Sequence, residues 1–276
     1  MTSSSRRAAV CGKPIAHSLS PVIHNAGFAA AGLTGWSYTR FECDEAGLAG
    51  LVDGLGPEWA GLSLTMPLKE EGLRLAAVAT PVAVAVGAAN TLVRRDDGWH
   101  ADNTDVAGMV RVLRDAGLKP APSVTVLGGG GTARAALAAA AQLGSSAVTV
   151  VTRRPAALAA LAPAADALGI TLLGGAWESA PDVLQADAVI STVPKGAADH
   201  LAGQVSWRDG TVLFDAIYDP WPTPLAADAQ THGVPVLSGL DLLLAQALSQ
   251  FEQFTGVVPA PEAAMRDALF TAAAAR

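Results

Sequence analysis

Lys69 ends the segment Ser63-Leu64-Thr65-Met66-Pro67-Leu68-Lys69, in which a β-like run stops and Pro67 opens a helical turn. Strand ends are where ligands collect in α/β domains, so a lysine there can hold or pass a proton. A lysine at such a place is also commonly no more than solvated, and a carboxylate partner is what would change that reading. Asp105, in Ala101-Asp102-Asn103-Thr104-Asp105, is the candidate. The pair could carry the proton that accompanies hydride transfer to a ketone. Asp105 reads equally as the N-cap of the helix after it.

A second chemical signal is Gly128-Gly129-Gly130-Gly131-Thr132-Ala133, which runs directly out of Val124-Thr125-Val126-Leu127 and into a helical pattern. Gly128 and Gly130 take the first two positions of a dinucleotide fingerprint, and Ala133 takes the third, where a small side chain lets helix and strand pack closely. A pyrophosphate can approach only where the backbone lacks Cβ atoms, and the helix N-terminus then offers N–H donors. Four glycines can also be a plain flexible turn; the strand on one side and the helix on the other favour the fingerprint. The next strand ends in Thr152-Arg153-Arg154, where NAD-binding chains carry a carboxylate for the ribose hydroxyl. Two guanidinium groups suit a 2'-phosphate instead, so the cofactor expected is NADP. The alternative is a solvated basic turn before Pro155. A third signal is Ser18 and Ser20, two apart before a helix opened by Pro21, whose hydroxyls could meet one small anion or merely cap the helix.

These residues need elements to hold them. In the first hundred residues, strands are expected at Ala8 to Cys11, Ser37 to Glu42 and Gly61 to Leu64, with a helix at Pro21 to Ala31. Asn90 to Arg94 and Trp99 to Asp102 flank Asp96-Asp97-Gly98, a hairpin turn that implies an antiparallel edge. A helix from Asp105 to Ala116 and the proline-rich Lys119-Pro120-Ala121-Pro122 lead to a cleaner alternation. It comprises strand Ser123 to Leu127, helix Thr132 to Leu143, strand Ala147 to Thr152 and helix Pro155 to Leu168. Further strands are expected at Ile170 to Leu173, Asp187 to Ser191, Val212 to Asp215 and Val234 to Leu237. Strand and helix alternating over short connections is the pattern of a doubly wound parallel sheet. Leu240 to Thr255 and Glu262 to Ala275 read as helices that must bury an apolar face on something already built.

Composition sets the frame. The chain has 276 residues, 51% hydrophobic, which suits a folded α/β protein of one large or two medium domains. A net charge of -7 leaves no basic field for nucleic acid or anionic membranes. Two cysteines, Cys11 and Cys43, make no disulfide framework. Met1 to Arg7 lead into no apolar stretch of signal-peptide length, because Lys13 and His17 interrupt, so a cytoplasmic location is expected. The charge-free stretch Leu75 to Val93 holds Thr80, Pro81, Gly87 and Asn90 and is not read as a membrane span. His17 and His24 lack a cluster to complete a metal site, so no metal is expected. The six tryptophans are scattered and read as packing.

In order, these pieces resemble the shikimate dehydrogenase family over nearly the whole chain. The resemblance is carried by Gly12 to Pro21 with His24-Asn25, by Leu64 to Lys69, by Gly87-Ala88-Ala89-Asn90-Thr91, and by Asp102 to Asp105 with Gly108. It continues through the glycine loop, Asp215-Ala216-Ile217-Tyr218-Asp219-Pro220 with Thr223-Pro224-Leu225, and Gly239 with Gln246. It implies an NADP-dependent reduction of 3-dehydroshikimate to shikimate, with Lys69 and Asp105 as the catalytic pair. Ser18 and Ser20 would hold the substrate carboxylate, with Tyr218 near it. Thr65, Asn90, Asp105 and Gln246 would bond the ring oxygens. The cofactor would meet Gly128 to Ala133, Thr152, Arg153, Arg154, Thr192, Ala216 and Gly239. The fold implied is α/β with two domains: a substrate-binding domain over 1–105, on which 239–276 packs back, and a Rossmann-type NADP-binding domain over 106–238. A monomer or homodimer would be expected. Ser63 stands where the family usually has Asn, Thr152 likewise replaces an Asn, and Leu242 stands where a Met often meets the nicotinamide. Rival readings are a quinate or aminoshikimate dehydrogenase of the same superfamily, or a cofactor-binding sensor without turnover.

Overall fold

A computed structural model describes residues 5–276, so the first four residues of the segment read for a targeting signal lie outside it. The chain divides into two compact units. Unit 1 comprises residues 1–104 and 243–276 and unit 2 comprises 105–242.

Unit 1 is built on a mixed six-stranded sheet in the order β2-β1-β3-β5-β6-β4. Its strands are β1 (Arg6–Gly12), β2 (Trp36–Glu42), β3 (Trp59–Leu64), β4 (Val78–Ala79), β5 (Thr91–Arg95) and β6 (Gly98–Asp102). β1 runs parallel to β2 and β3, and β5 antiparallel to β3 and β6. All six residues of β3 are buried, because both faces of the sheet are covered. On one face Leu62, Leu64, Leu92 and Trp99 pack with Leu48 and Val52 of α2 (Glu45–Asp53) and with Leu68, just before α3 (Lys69–Leu75). On the other lie α1 (Ser20–Ala30) and the C-terminal helices, of which α12 (Glu262–Ala274) packs on α1. Gly61 has no side chain because the Phe254 ring occupies the space a Cβ would need. The terminal helices therefore return to the first sheet.

Unit 2 has an all-parallel six-stranded sheet, β12-β11-β10-β7-β8-β9. These are β7 (Val124–Leu127), β8 (Ala147–Val151), β9 (Thr171–Gly175), β10 (Ala188–Ser191), β11 (Val212–Asp215) and β12 (Val236–Ser238). Strand order reverses between β7 and β10, and a crevice beyond their C-terminal ends is where open α/β sheets take ligands. Helix α6 (Gly131–Gln142) lies close to the sheet because its inward residues, among them Ala133, Ala136 and Ala140, are small and buried. Helices α5 (Thr104–Asp115) and α11 (Gly239–Thr255) each begin in one unit and end in the other.

Several expected elements are corrected. The helix expected over Pro155 to Leu168 is two, α7 (Pro155–Ala159) and α8 (Ala162–Leu168). Pro163 would clash with the carbonyl four residues back in a continuous helix and instead sits in the first turn of α8. Pro67 does not open a helix, since α3 starts at Lys69. The hairpin turn is Asp96-Asp97, with Gly98 already paired to Arg95 in the ladder at φ +125°. Asp105 lies within the first turn of α5 and not at its cap. Helices α2, α4 (Pro81–Val86), α9 (Ala180–Val183) and α10 (Pro224–Thr231), and the short strand β4, went unread. Among the described residues no helix is long and apolar enough to cross a membrane, and no cluster of three metal-ligating side chains occurs.

Candidate active site and nucleotide cleft

Three chain segments meet at one end of the unit 1 sheet. β1 and β3 end there, and β5, being antiparallel, begins there, with the Leu64 N–H donating to the Asn90 carbonyl at 2.7 Å. Gly12 lets the loop after β1 pass against Thr65, whose methyl and the Met66 carbonyl fill the place of a Cβ. The Thr65 N–H is tied to the Cys11 carbonyl at 3.0 Å. Lys69 opens α3, half-buried, and its carbonyl accepts the Ala89 N–H at 2.8 Å, which joins the lysine turn to the segment carrying Asn90.

The serines are not a simple cap. Leu19 holds the N-cap position of α1 without a side-chain bond, and the Ser20 N–H donates to Ser18 Oγ at 3.3 Å. The Ser20 hydroxyl is buried close to the Tyr38 hydroxyl. Asn90 is 2% exposed, and its Oδ1 accepts the Thr104 N–H and the Thr91 hydroxyl, each at 2.8 Å. Its Nδ2 faces Gln246 Oε1 at 3.5 Å, while Gln246 Nε2 is held by the Leu243 carbonyl at 2.8 Å. Unit 1 thus brings Thr65, Lys69, Asn90 and Gln246 to a common end of its sheet, with Ser18 and Ser20 on the loop and helix after β1. Ser63, read as a departure at this site, points its hydroxyl inward to Tyr38 and Gln250.

Unit 2 carries a cleft of about 290 Å³. Gly128, Gly129, Gly130, Thr152, Arg153, Arg154 and Thr192 line it, together with Trp177. Gly128 adopts φ +107°, and a Cβ there would stand 2.5 Å from Thr192 Oγ1, which itself donates to the Leu127 carbonyl at 2.8 Å. Gly129 is tight against Ala157, whereas Gly130 and Gly131 have nothing within 4 Å of an added Cβ. Gly130 is the N-cap of α6 and makes no side-chain cap bond, so the first N–H groups of that helix have open ground in front of them. Thr132 is in the first turn and Ala133 is fully buried against the sheet. Arg153 and Arg154 are exposed, with the Arg153 guanidinium 5.9 Å from the Trp177 ring centre. Trp177, at the start of a short 3-10 helix, packs on the unit 2 core, in line with the reading of the tryptophans, and also lines this cleft.

Around the neighbouring strand ends of unit 2, Gly239 packs against the Ala216 carbonyl and the Tyr218 ring with no room for a side chain. The loop that holds Ala216 and Tyr218 is anchored by Asp215, 2% exposed, which accepts the Thr223 hydroxyl at 2.8 Å and the Ile217 N–H at 3.2 Å. Burial pushes the Asp215 carboxyl above its usual range, and those two bonds offset part of the effect.

The arrangement suits a dinucleotide. Open donors at a helix N-terminus beside two guanidinium groups fit a pyrophosphate and a further phosphate.

Comparison with known proteins agrees with this geometry. The family model described as shikimate dehydrogenase substrate binding domain matches residues 10–92, and that described as shikimate 5'-dehydrogenase C-terminal domain matches 239–270. The shikimate dehydrogenase (NADP(+)) of Methanothermobacter thermautotrophicus is 35% identical over 270 residues, covering 94% of each chain. The chain belongs to the shikimate dehydrogenase family. Among solved structures, the shikimate dehydrogenase of Mycobacterium tuberculosis is 46% identical with a TM-score of 0.88, covering 96% of this chain and 99% of that one. The Thermus thermophilus family member, solved in complex with NADP(H) and shikimate, is 29% identical with a TM-score of 0.83, covering 97% of this chain and 99% of that one.

Proposed function

We propose that this protein is an NADP-dependent shikimate dehydrogenase that interconverts 3-dehydroshikimate and shikimate. The observation that carries the reading is the unit 2 cleft, in which the open start of α6 faces the Arg153-Arg154 turn, in a chain of this family. NADPH supplies the hydride that reaches the carbonyl carbon. The protein's own part is to bind, orient and move a proton. Arg153 and Arg154 take the 2'-phosphate, and the N–H groups at Gly130 to Thr132 take the pyrophosphate. Ser18 and Ser20 hold the substrate carboxylate, with Tyr218 beside it. Thr65, Asn90 and Gln246 bond the ring oxygens, and Thr192, Ala216 and Gly239 line the cofactor's path. Lys69 gives a proton to the carbonyl oxygen as hydride arrives at carbon, and Asp105 holds the lysine. Asp105 directly follows Thr104, whose N–H fixes Asn90, so the carboxylate and the amide are set by one short run of chain.

The test is steady-state reduction of NADP with shikimate. General acid assistance is worth roughly 100 to 10,000-fold, so Lys69→Ala should lower kcat by at least the smaller factor while the shikimate KM changes much less. An unchanged kcat removes Lys69 from the chemistry.

A further inference from the structure

Behind the proposed substrate residues runs a buried file of hydroxyl and amide groups. The Tyr38 hydroxyl donates to Ser63 Oγ at 2.6 Å, and Ser63 donates to Gln250 Oε1 at 2.6 Å. Gln250 Nε2 donates to the Asn90 carbonyl at 3.1 Å and to Thr91 Oγ1 at 2.9 Å, and Thr91 donates to Asn90 Oδ1 at 2.8 Å. Ser20 lies close to the Tyr38 end of the file. None of these six side chains is more than 5% exposed.

The direction of every bond is set by two backbone groups that cannot change role. The Asn90 carbonyl only accepts, so the amide end of Gln250 that faces it must be the NH2. Gln250 Oε1 then faces Ser63, which must donate to it and so must accept from Tyr38. Tyr38, having spent its proton on Ser63, keeps only acceptor capacity on the side where Ser20 lies. At the far end, the Thr104 N–H only donates, so the Asn90 atom it meets is Oδ1. Thr91, already accepting from Gln250, gives its own proton to the same oxygen. The Asn90 side-chain carbonyl is thereby occupied on the protein side, and its NH2 is the end turned to Gln246.

We propose that Tyr38, Ser63 and Gln250 are positioning residues, which hold Asn90 so that it offers a donor and not an acceptor to the substrate, in a file that ends at the Tyr38 hydroxyl near Ser20. The proposal rests on the assignment of Asn90 and Ser20 to the substrate. It gives Ser63 a purpose of its own: a hydroxyl there fits between Tyr38 and Gln250 and completes the file. It also explains why a tyrosine hydroxyl, an amide and a threonine are buried together where apolar packing would serve the sheet as well. A polar file of this kind is stable only while each member is satisfied, so loss of one link releases the next.

The test is a mutant cycle. Gln250→Met keeps the side-chain length and removes both amide functions; Tyr38→Phe keeps the ring and its stack on His24, at 4.2 Å, and removes only the hydroxyl. Each is made alone and together with Asn90→Ala, and kcat and both KM values are measured with shikimate and NADP. Loss of one buried hydrogen-bond link corresponds to about a tenfold change. Gln250→Met should raise the shikimate KM by about tenfold and leave the NADP KM within about twofold, with Tyr38→Phe in the same direction and smaller. In the Asn90→Ala background neither should raise the shikimate KM further, because the residue they position is gone. A merely structural role would instead lower the thermal midpoint and add to the effect of Asn90→Ala. An active wild type whose shikimate KM is unmoved by both changes, or moved additively, overturns the relay alone. A wild type that does not reduce NADP with shikimate overturns the assignment beneath it as well.

Discussion

The four glycines of the loop before α6 have different duties, and one added methyl group can separate them. At Gly128 an alanine meets two obstacles: a backbone at φ +107° and a Cβ placed 2.5 Å from Thr192 Oγ1 and 3.3 Å from the Thr192 backbone. A side chain in that backbone region costs about 1–3 kcal/mol, and overfilling a packed contact costs a similar amount, so Gly128→Ala should lose roughly 2–5 kcal/mol. For a chain of this size that is a fall of about 5–15 °C in thermal midpoint. Adding Thr192→Ala removes the nearest clash and leaves the backbone strain, so the double variant should recover about half of the loss. At Gly130 the position is reversed: φ is −94° and nothing lies within 4 Å of the new methyl. Gly130→Ala should therefore leave stability nearly unchanged, a gain of about 0.4–1 kcal/mol from the less flexible unfolded chain being offset by the poorer N-cap. Its methyl would occupy the ground in front of the helix N-terminus, and losing one charge-assisted bond to a phosphate is worth about 1.5–3 kcal/mol, so the NADP KM should rise by about 10- to 100-fold. Circular dichroism melts and NADP-dependent kinetics on the three variants decide it. An unchanged midpoint in Gly128→Ala refutes the steric reasoning, and an unchanged NADP KM in Gly130→Ala refutes the phosphate site.

Two further outcomes are expected of the same structure. Replacing Arg153 and Arg154 by alanine should raise the NADPH KM by about 100-fold, taking about 1.4 kcal/mol for each exposed guanidinium, and leave the NADH KM nearly unchanged; equal losses would mean the pair does not read the 2'-phosphate. His24 is fully buried on the Tyr38 ring with neither nitrogen well bonded, and burial drives its pKa down to about 3 with only a small offset from Gln250. The unfolded chain therefore takes up a proton below about pH 6.5 that the folded one refuses, so this stability is present above that pH and lost at about 1.4 kcal/mol per unit as the pH falls towards 3. In His24→Phe the decline of stability between pH 6.5 and 4 should be shallower, as read by urea melts; parallel curves for the two proteins would refute it.

Much of this architecture is legible in the residues themselves. Val124–Leu127 and Val212–Asp215 are apolar runs that end at residues suited to a turn, and buried parallel strands leave little else to read. The glycine loop and the Arg pair are contiguous, so their chemistry could be read locally. What escaped is what depends on distant partners or weak local preference. Helix α2 is short and contains Gly47 and Gly50, two poor helix formers; its start is set by Asp44, whose side chain accepts the Gly47 N–H. The break before α8 hinges on which of two prolines opens a helix. Ser63 stands out in the sequence only as a departure from the Asn usual in the family, and its inward bonding is not written beside it. Its partners Tyr38 and Gln250 lie 25 and 187 residues away, and no periodicity connects them.

Unit 1 is written in two pieces, and this bears on how the protein comes into being. A ribosome releases the chain from its N-terminus, so all of unit 2 is made before Leu243–Arg276 emerge. Until then the face of the first sheet that Phe254 covers at Gly61 has no cover, and α1 lacks the Met265 contact at Gly27. Gln246 and Gln250 arrive in the same later segment, so Asn90 gains its contacts with both only after unit 2 has been made. Unit 2 can be complete on a nascent chain while unit 1 still lacks α12 and most of α11. A chain that stops short of them would keep a cofactor fold and lack an ordered substrate site.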